Sequence, residues 1–562
     1  MSSGDSEERV LVLAPWGLPT LWDEVNYVIP RVSESGGKLC VRPINIEWND
    51  VDKVKSYTSL AGVLRYITNA GHKGFIDVII MGLDTLAFPD TRSQSGNCNV
   101  VGILSDFTNT LRNGKVNYRD IENTAYSLLK NCISQYLGGF NSKADKINIE
   151  VEILPGTGTY RAGNFNARFM GGINNLNFTM LYKLYNKVRY NKYSAIIIDI
   201  THGVNYLPMI TYMAAQLIAK YLSARDNKDI CLITFNADPI SRQKTEATQE
   251  RRLNIIEMQN ISIEPHEFLK ELTGRLNKEK IFRIVRTNHD KDKINKLNKL
   301  NNNYEDIRRR LNPSRITTSL EYGFALYLVT YLRKNNLTHV KDLEELSRNI
   351  SNLCDEIYNY MNEAVDISIN NNEVLISRIY DFETSPLLLS MAFDVVRNRV
   401  INVLNLDQLM DNEGGIDIEY LLKIPVSSVA DTILSNEVDS IKRAAELFRD
   451  VAVNLLGMNK GILGGYVKYG NIHDFVNKSI IDIGRRSNDI REEIKNYSCD
   501  NQDSHDDSEC RFNDRNFIAH AGLERNITCI KISGDKVFIK YIDKCFEDID
   551  KHMENISKGN AK

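Results

Sequence analysis

A short segment near the C-terminus combines a permanent cation with a proton-transfer group. Arg515 and His520 stand five residues apart in the stretch FNDRNFIAHAGLERN (512–526). Histidine can remove or deliver a proton near neutral pH, and arginine can hold a developing phosphorane charge with two parallel N–H groups. RNA carries its own nucleophile, the 2′-hydroxyl beside each phosphate. These residue types therefore predict RNA cleavage that needs no metal ion, to which DNA would be inert.

The spacing alone does not distinguish Arg515 and His520 from other Arg/His pairs in the chain. The neighbouring residues are therefore the evidence for a catalytic role. Small alanines flank His520 on both sides, which leaves the imidazole uncrowded, whereas an ordinary histidine on a helix surface beside an arginine remains the alternative. The same loose spacing occurs in three further pairs, which are Arg65/His72, Arg283/His289 and Arg333/His339.

Helix geometry limits what one copy of this segment can do. Residues five apart on a helix differ by about 140° around its axis, so Arg515 and His520 would not share a face. Two such helices meeting about a two-fold axis would bring two arginines and two histidines into one cleft. The spacing therefore favours a homodimer or a higher homo-oligomer.

The chain length and the amino-acid composition are those of an ordinary soluble protein with more than one domain. The chain has 562 residues, too many for one core, with 42% apolar and 25% charged residues. Lys+Arg 70 against Asp+Glu 73 gives a net charge of −3. There is no general attraction to nucleic acid, so contact with RNA or DNA requires a local patch.

Cysteine use and the N-terminus predict a cytoplasmic protein. No apolar stretch of about 18 residues suggests a membrane span, and the N-terminus MSSGDSEERVLVLAPWG lacks a secretory basic region. The nine cysteines are scattered without CxxC or His/Cys metal spacing, which favours mostly free thiols and no metal site. A disulfide between Cys499 and Cys510, which flank a polar loop, is the alternative.

The first 240 residues alternate apolar runs with amphipathic stretches, as in an α/β domain with a parallel sheet. Helices are predicted at 118–137 and 205–222. The predicted strands are RVLVLAP (9–15), DVIIMG (77–82), INIEVEILPG (147–156), SAIIIDI (194–200) and DICLITF (229–235).

Polar, turn-rich loops follow four of these five strands. Ligands of open parallel sheets bind at the carboxyl ends of strands, so the loops predict a crevice for an anionic nucleotide. The segment GTGTY (156–160) does not fit GxGxxG, the dinucleotide-binding motif, which disfavours a dehydrogenase. No glycine loop is followed by the lysine of a Walker motif, which disfavours an ATPase. The alternative for THGVN (201–205) is that it only forms a capped turn between strand and helix, with His202 hydrogen-bonded locally. We expect Asp84 and Asp199 near the rim, and ligand contacts first from Gly17, Thr201, His202 and Asn205, then from Thr157, Tyr160 and Arg161.

The remainder of the chain looks mainly helical. Residues 241–340 are charged and Asn-rich without a strand-like run, which predicts a helical connector, either a solvated surface or a basic face that steers RNA. Helical patterns continue through 341–562, apart from a hairpin around Ser-Gly-Asp within 526–543. The predicted domains are thus a Rossmann-like α/β domain at 1–240, a helical connector at 241–340 and a mainly α-helical domain at 341–562.

Motifs at both ends resemble a known family. R-N-x-x-x-H at 515–520 resembles the signature of HEPN ribonucleases. DITHGVN at 199–205, with PWG at 15–17 and GLDTLA at 82–87, resembles the CARF sensor domain. In this order the chain resembles the type III CRISPR ancillary ribonucleases that join an N-terminal CARF domain, a helical connector and a C-terminal HEPN domain. It is long for that branch, and the extra residues in the connector and at 366–435 have no assigned role.

The resemblance implies a cyclic oligoadenylate activator, most often cyclic tetra-adenylate, bound across two CARF domains, and non-specific cleavage of single-stranded RNA without metal. It implies catalytic roles for Arg515 and His520, with support from Asn516. Whether the pocket also degrades its activator stays open, and a non-enzymatic CARF regulator of transcription is the competing function. Residues lining the implied activator pocket are Trp16, Gly17, Thr201, His202, Gly203 and Asn205.

Overall fold

The computed structural model divides into two compact units, each made of several chain segments. Unit 1 combines residues 1–263, 278–305 and 350–391, and unit 2 combines 264–277, 306–349 and 392–562. Within the described residues, no helix is both long and apolar enough to cross a membrane. The structure describes residues 8–32, 39, 46–47, 52–89, 98–137, 146–162, 164–204, 206–239, 250–278, 280–285, 291–402, 410–456, 465–478, 487–495, 497–499, 510, 512 and 514–558.

An eight-stranded sheet forms the centre of unit 1, and its strand order is β5-β2-β12-β11-β10-β1-β6-β7. The five predicted strands are confirmed as β1, β6, β7, β10 and β11, and they pair in parallel. The strands of this sheet are β1 Arg9–Pro15, β2 Val25–Val28, β5 Lys53–Ser56, β6 Phe75–Leu83, β7 Ile147–Leu154, β10 Tyr193–Asp199, β11 Ile230–Ala237 and β12 Glu250–Ile261, and a separate pair is β3 Arg31–Val32 with β4 Ile46–Glu47.

Amphipathic helices connect these strands, and both predicted helices of this region are confirmed. The helix at Tyr118–Tyr136 begins with an Asn117/Asp120 capping box, and the helix at Leu207–Asp226 is capped by Asn227, whose φ is 55°. The helices are α1 Leu60–Asn69, α2 Val101–Arg112, α3 Tyr118–Tyr136, α4 Ile173–Val188 and α5 Leu207–Asp226.

The predicted connector at 241–340 is not helical throughout, because strand β12 begins at Glu250. It pairs antiparallel with β11 and extends the sheet. Burial alternates at its start, where Arg251 and Leu253 point inward and their neighbours are exposed. The inward Arg251 lies over the ring of Tyr27, 5.8 Å from its centroid. Because the inward position 251 is an arginine, the alternation of apolar and polar residues that predicts a strand is interrupted here.

Part of the extra length at 366–435 completes a second sheet in unit 1. Strands β14 Val365–Asn370 and β15 Glu373–Arg378 form a hairpin, and β15 pairs in parallel with β9 Phe165–Met170, which pairs with β8 Gly158–Ala162. Residues 350–391 therefore pack in unit 1, although the sequence placed them with the C-terminal domain. A further pair joins β13 Phe282–Ile284 to β16 Tyr380–Phe382.

Unit 2 is mainly helical, and its predicted hairpin is confirmed. That hairpin, β19 Thr528–Ser533 and β20 Lys536–Tyr541, turns at Gly534, whose φ is 61°, and lies in a sheet of order β17-β20-β19-β18 with β17 Ile416–Asp417 and β18 Val467–Lys468. The remaining helices along the chain are α6 Pro265–Leu276, α7 Lys291–Leu311, α8 Pro313–Tyr322, α9 Ala325–Lys334, α10 Val340–Glu363, α11 Ser385–Val396, α12 Ser428–Asp450, α13 Tyr469–Val476, α14 Ser487–Lys495, α15 Asp514–Ala519 and α16 Phe546–Ser557.

The expectation of mostly free thiols is wrong. Cys499 bonds to Cys529 and Cys510 to Cys545, so the alternative Cys499–Cys510 bridge is wrong as well. The partners lie 30 and 35 residues away along the chain, and only the folded hairpin of unit 2 brings them close. Thiol content therefore no longer supports the cytoplasmic location, which stays a prediction. Unit 1 contains a further disulfide, Cys98–Cys132.

Candidate functional site

The four polar loops predicted to form a crevice lie along one edge of the main sheet. Strands β10, β1, β6 and β7 are consecutive neighbours, so their carboxyl ends meet. Backbone hydrogen bonds tie the loops together: Gly17 N–H donates to His202 O at 2.8 Å, and Trp16 N–H donates to Met81 O at 2.7 Å. The Trp16 side chain, predicted to line the pocket, is buried in the core and 1% exposed.

Two glycines of the crevice are required by contacts within the protein. A Cβ on Gly17 would lie 2.3 Å from Val204 Cγ2, and one on Gly203 would lie 2.1 Å from Pro208 Cγ. Both distances are far below van der Waals contact. The glycines thus allow the β1 and β10 loops to pack closely, whatever ligand the crevice holds.

His202 is a partly buried, neutral group held by the protein. Its Nε2 lies 3.2 Å from the Tyr27 hydroxyl and accepts the Ser59 N–H at 3.2 Å, and its ring stacks on Trp22 at 3.9 Å. Burial and the nearby Arg251 cation lower the pKa of His202 to about 3. Because a backbone N–H can only donate, Nε2 is the acceptor and Nδ1 carries the hydrogen. The partners of His202 lie 175 and 143 residues away along the chain, so its bonds are not the local ones of the capped-turn alternative, and Nδ1–H is the donor that a ligand could use.

Thr201 is likewise held by its neighbours. Its N–H donates to Asp199 Oδ1 at 3.2 Å, and its hydroxyl accepts the Ala237 N–H at 3.0 Å. The second oxygen of Asp199 accepts the Ser59 hydroxyl at 2.6 Å, and burial raises the pKa of this carboxyl. The expectation that Asp84 and Asp199 lie near the rim is wrong, because both are almost completely buried.

Asp84 is the centre of a buried cluster that the sequence did not reveal. It accepts the Tyr118 hydroxyl at 2.9 Å and the Gly156 N–H at 2.8 Å, and it forms an ion pair with Arg378. Arg378 also donates to Gly156 O at 2.9 Å. The arginine arrives on β15, 294 residues further along the chain. The hydrogen bonds of this cluster hold the loops after β6 and β7 in place on their buried side. Burial and the Asp84 charge also raise the pKa of the neighbouring Glu122 to about 7.

The remaining predicted contacts lie around the β7 loop. Thr157 N–H donates to the Tyr206 hydroxyl at 3.2 Å, and the Tyr160 hydroxyl donates to Thr157 O at 3.1 Å. Arg161 is exposed on β8. Asn205 lies outside the described residues. The structure thus places Gly17, Thr201, His202 and Thr157 along one edge, and their roles toward a ligand stay predictions.

The Arg–His segment of unit 2 forms a short helix that ends just before the histidine. Helix α15 begins at Asp514 and ends at Ala519. His520 occupies the C-cap, followed by Ala521 with a φ of 49°. Gly522 N–H donates to Phe517 O at 2.8 Å, which closes a Schellman turn. The His520 N–H still donates to Asn516 O four residues back, so the expected separation of about 140° from Arg515 stays a prediction.

Glu437 holds the His520 ring. Its Oε1 lies 2.9 Å from His520 Nδ1, and the two side chains are 19% and 32% exposed. Because a carboxylate only accepts, Nδ1 carries a hydrogen and Nε2 is the nitrogen that can exchange a proton. Glu437 is on α12, 83 residues before the histidine. No local pattern could have predicted it.

The other motif residues face outward. Arg515 and Asn516 are exposed, whereas Phe517 between them and His520 is buried against Phe324, with ring centroids 5.0 Å apart. Asn516 O accepts the His520 N–H at 3.0 Å, so its link to the histidine is through the backbone. In the part of the chain that the structure describes, no group of three or more His, Cys, Asp or Glu side chains could hold a metal ion.

Both ends of the chain match models of one family in the order that the geometry suggests. The model described as "CRISPR system endoribonuclease Csx1, CARF domain" matches residues 11–239, and its HEPN-domain counterpart matches residues 427–544. A relative from Methanocaldococcus jannaschii, named CRISPR system endoribonuclease Csx1, is 24% identical over 423 residues, which cover 74% of this chain and 75% of the relative. The match to the HEPN-domain model of an endoribonuclease family sets aside the non-enzymatic regulator. The chain therefore belongs to the Csx1 family of CRISPR-system endoribonucleases and is a ribonuclease.

Proposed function

We propose that this ribonuclease cuts single-stranded RNA without a metal ion when a cyclic oligoadenylate binds its CARF domain, as part of type III CRISPR antiviral defence. Cyclic tetra-adenylate is the first ring to test. One observation carries the proposal: Glu437 holds His520 by Nδ1. This leaves Nε2 of the imidazole for proton transfer, five residues along the chain from the exposed Arg515. An imidazole and a guanidinium are sufficient for this chemistry.

The proposed step balances without a cofactor. Nε2 of His520 removes the proton of a 2′-hydroxyl, the 2′-oxygen attacks the adjacent phosphorus, and the bond to the 5′-oxygen breaks. A second, protonated imidazole returns a proton to the leaving 5′-oxygen, and Arg515 stabilises the charge on the phosphorane. The products are a 2′,3′-cyclic phosphate and a 5′-hydroxyl. One copy of the motif supplies one histidine, so the second comes from another copy of the chain.

Exposed apolar residues in both units support assembly with a second copy. On α12, the helix of Glu437, Val429 and Leu447 are 72% and 54% exposed and lie eighteen residues apart, about five turns, on one face. On α5, directly after the crevice loop, Met209 and Met213 are 68% and 58% exposed one turn apart. Large apolar side chains exposed on a helix surface are candidates for a subunit interface.

The crevice suits an anionic ring in two respects. Its fixed groups are neutral donors and backbone amides, among them the Nδ1–H of His202, and the loop at 199–204 leads into the N-terminal end of α5, where the helix dipole favours anions. A ring with two-fold symmetry would bind best to two crevices facing each other. Such a ligand activates only if it binds the competent dimer more tightly than the resting one.

The central test is cleavage of labelled RNA in EDTA, with and without cyclic tetra-adenylate. We expect cutting in EDTA that depends on the ring, products ending in 2′,3′-cyclic phosphate, and no cutting of DNA. A requirement for magnesium, or equal activity without the ring, would contradict the proposal.

A second test addresses assembly. M209D/M213D should shift the protein toward monomer in light scattering and lower ring-dependent cleavage at least about tenfold, because paired crevices are lost. Tyr190→Asp is the matched control, since Tyr190 is 82% exposed in the same unit. A monomeric variant that retains full activity would disprove the composite site.

A further inference from the structure

We propose that Arg525, positioned by His473, forms a second phosphate-binding subsite for the RNA chain beside the catalytic His520. The proposal rests on the proposed function and extends it to substrate binding. Its ligand is a phosphate of the RNA backbone next to the one that is cut. Arg525 would contact the substrate, and His473 would position Arg525.

The geometry joins Arg525 to helix α13 at two points. Its Nη1 lies 3.2 Å from His473 Nδ1, and its backbone oxygen accepts the Gly470 N–H at 3.0 Å. Because a guanidinium only donates, Nδ1 is an acceptor in this contact and the imidazole is neutral. The Asn477 side chain approaches the same Nδ1 at 3.2 Å. The arginine is thus held in place by neutral groups.

Several partly buried arginines of the protein have a carboxylate partner, whereas Arg333 donates to the neutral Gly414 O at 2.8 Å. Arg315 meets Asp550 at 2.6 Å, and Arg9 meets Asp77 at 3.0 Å. Among the described residues, by contrast, the guanidinium of Arg525 forms no ion pair with a carboxylate. A guanidinium offers five N–H donors in a planar fork that matches two phosphate oxygens. A half-buried guanidinium whose side-chain hydrogen bond is to an imidazole, and not to a carboxylate, is therefore suited to an anionic ligand.

The subsite lies close to the catalytic histidine. The carboxyl of Glu524 interacts electrostatically with both His520 and Arg525, and the hydroxyl of Tyr469 does so with both Glu437 and Arg525. Glu437 in turn holds His520. Arg525 and His520 thus share their neighbours, which places a phosphate on Arg525 within the same stretch of RNA as the one beside His520.

The acidic neighbours leave room for an anion. Both oxygens of Glu524 are engaged by Asn526, whose N–H donates at 2.8 Å and whose side-chain amide donates at 3.1 Å. Burial raises the pKa of the Glu524 carboxyl. Asp474 lies 3.6 Å from His473 Nδ1, and its side chain is 82% exposed and screened by water.

The test separates substrate binding from chemistry. Arg525→Ala should raise KM for RNA about tenfold or more while kcat changes less than about twofold, because one charge-assisted contact is lost. Arg525→Lys keeps the positive charge but loses the planar set of N–H donors, so its KM should lie between those of the wild type and Arg525→Ala. The slope of log Kd against log salt should fall by about 0.7, the value for one phosphate on a single strand. Arg348→Ala is the control, an exposed arginine on another helix of the same unit whose loss should leave KM and slope unchanged.

Binding of an uncleavable 2′-O-methyl RNA, followed by fluorescence anisotropy, tests the subsite independently of cleavage. Arg525→Ala should weaken it about tenfold relative to Arg348→Ala, with melting temperatures showing that both variants are folded. An unchanged Kd, or a lost kcat at unchanged KM, would overturn the subsite. If the wild type bound this RNA through Arg525 but never cut RNA, the proposed function would fail and the subsite would stand.

Discussion

The crevice of unit 1 and the Arg–His site of unit 2 satisfy their polar groups in opposite ways. In the crevice, Thr201, His202 and Asp84 each bond to several protein groups and are wholly or partly buried. In the second site, Arg515 is exposed, and His520 keeps one of its two ring nitrogens available. A pocket that recognises shape has to be rigid before its ligand arrives, whereas a catalytic site has to leave its reactive atoms accessible. Substitutions in unit 1 should therefore change stability, and substitutions in unit 2 should change rates.

The largest effect is expected for His520→Ala. Loss of the proton-transfer group should lower kcat for RNA cleavage by about 10²–10⁴-fold, or about 3–5 kcal/mol of barrier, which is what general acid–base catalysis supplies. The melting temperature should change little, since the side chain is partly exposed and not in the core. Single-turnover cleavage assays and calorimetry measure the two quantities. A variant that cuts RNA at the wild-type rate would contradict the assignment of His520.

Asp84→Asn should have the opposite profile. It leaves the Arg378 cation buried without its carboxylate, which costs about 3–5 kcal/mol of the free energy of unfolding. Denaturant unfolding of unit 1 measures this loss. Cleavage by the fraction that remains folded should retain its kcat. Asp23→Asn is a suitable control, because Asp23 is exposed on the same unit and its substitution should change stability by less than about 0.5 kcal/mol.

Glu437→Ala tests the one anchor of the catalytic site. Without the carboxylate the imidazole loses its orientation and its fixed tautomer, so kcat should fall about 100-fold while KM is unchanged. Glu437→Gln keeps an acceptor oxygen and should lose only about tenfold. Asp439→Ala, two residues further along the same helix and exposed, is the control. Equal losses for the Ala and Gln variants would show that charge, and not orientation, is what Glu437 supplies.

His202 predicts how unit 1 responds to acid. Its pKa is about 3 in the folded protein and about 6.5 when unfolded, so the unfolded state binds more protons between these values. Stability is therefore lost as pH falls below about 6.5, by at most about 1.4 kcal/mol per pH unit. His202→Asn should remove this part of the acid response, measured as the difference between the two unfolding curves at pH 7 and pH 5. An unchanged difference would show that His202 is protonated in the folded state.

The parallel sheet and its crevice could be predicted because short apolar runs and the loops after them are local in sequence. Strand β12 was missed because a buried Arg251 interrupts its apolar alternation. Arg378 and Glu437 were missed for a different reason. They reach Asp84 and His520 from 294 and 83 residues away, and only the folded chain brings the pairs together. The disulfides of Cys499 and Cys510 show the same limit, since proximity along the chain predicted the wrong partner.

Ala521→Gly is expected to have the smallest effect and tests whether the turn after His520 is strained. Ala521 has a φ of 49°, a left-handed conformation that costs a non-glycine residue about 1–2 kcal/mol and that glycine adopts freely. Its methyl group is also completely buried, and losing it costs about 0.8 kcal/mol. The two terms nearly cancel, so the free energy of unfolding should change by less than about 1 kcal/mol. Ala521→Val is the sharper comparison, because a β-branched side chain cannot adopt this φ without strain; it should destabilise by more than about 1 kcal/mol and lower kcat by displacing His520. If the valine variant were as stable as the wild type, the left-handed turn would not be what holds the imidazole in place.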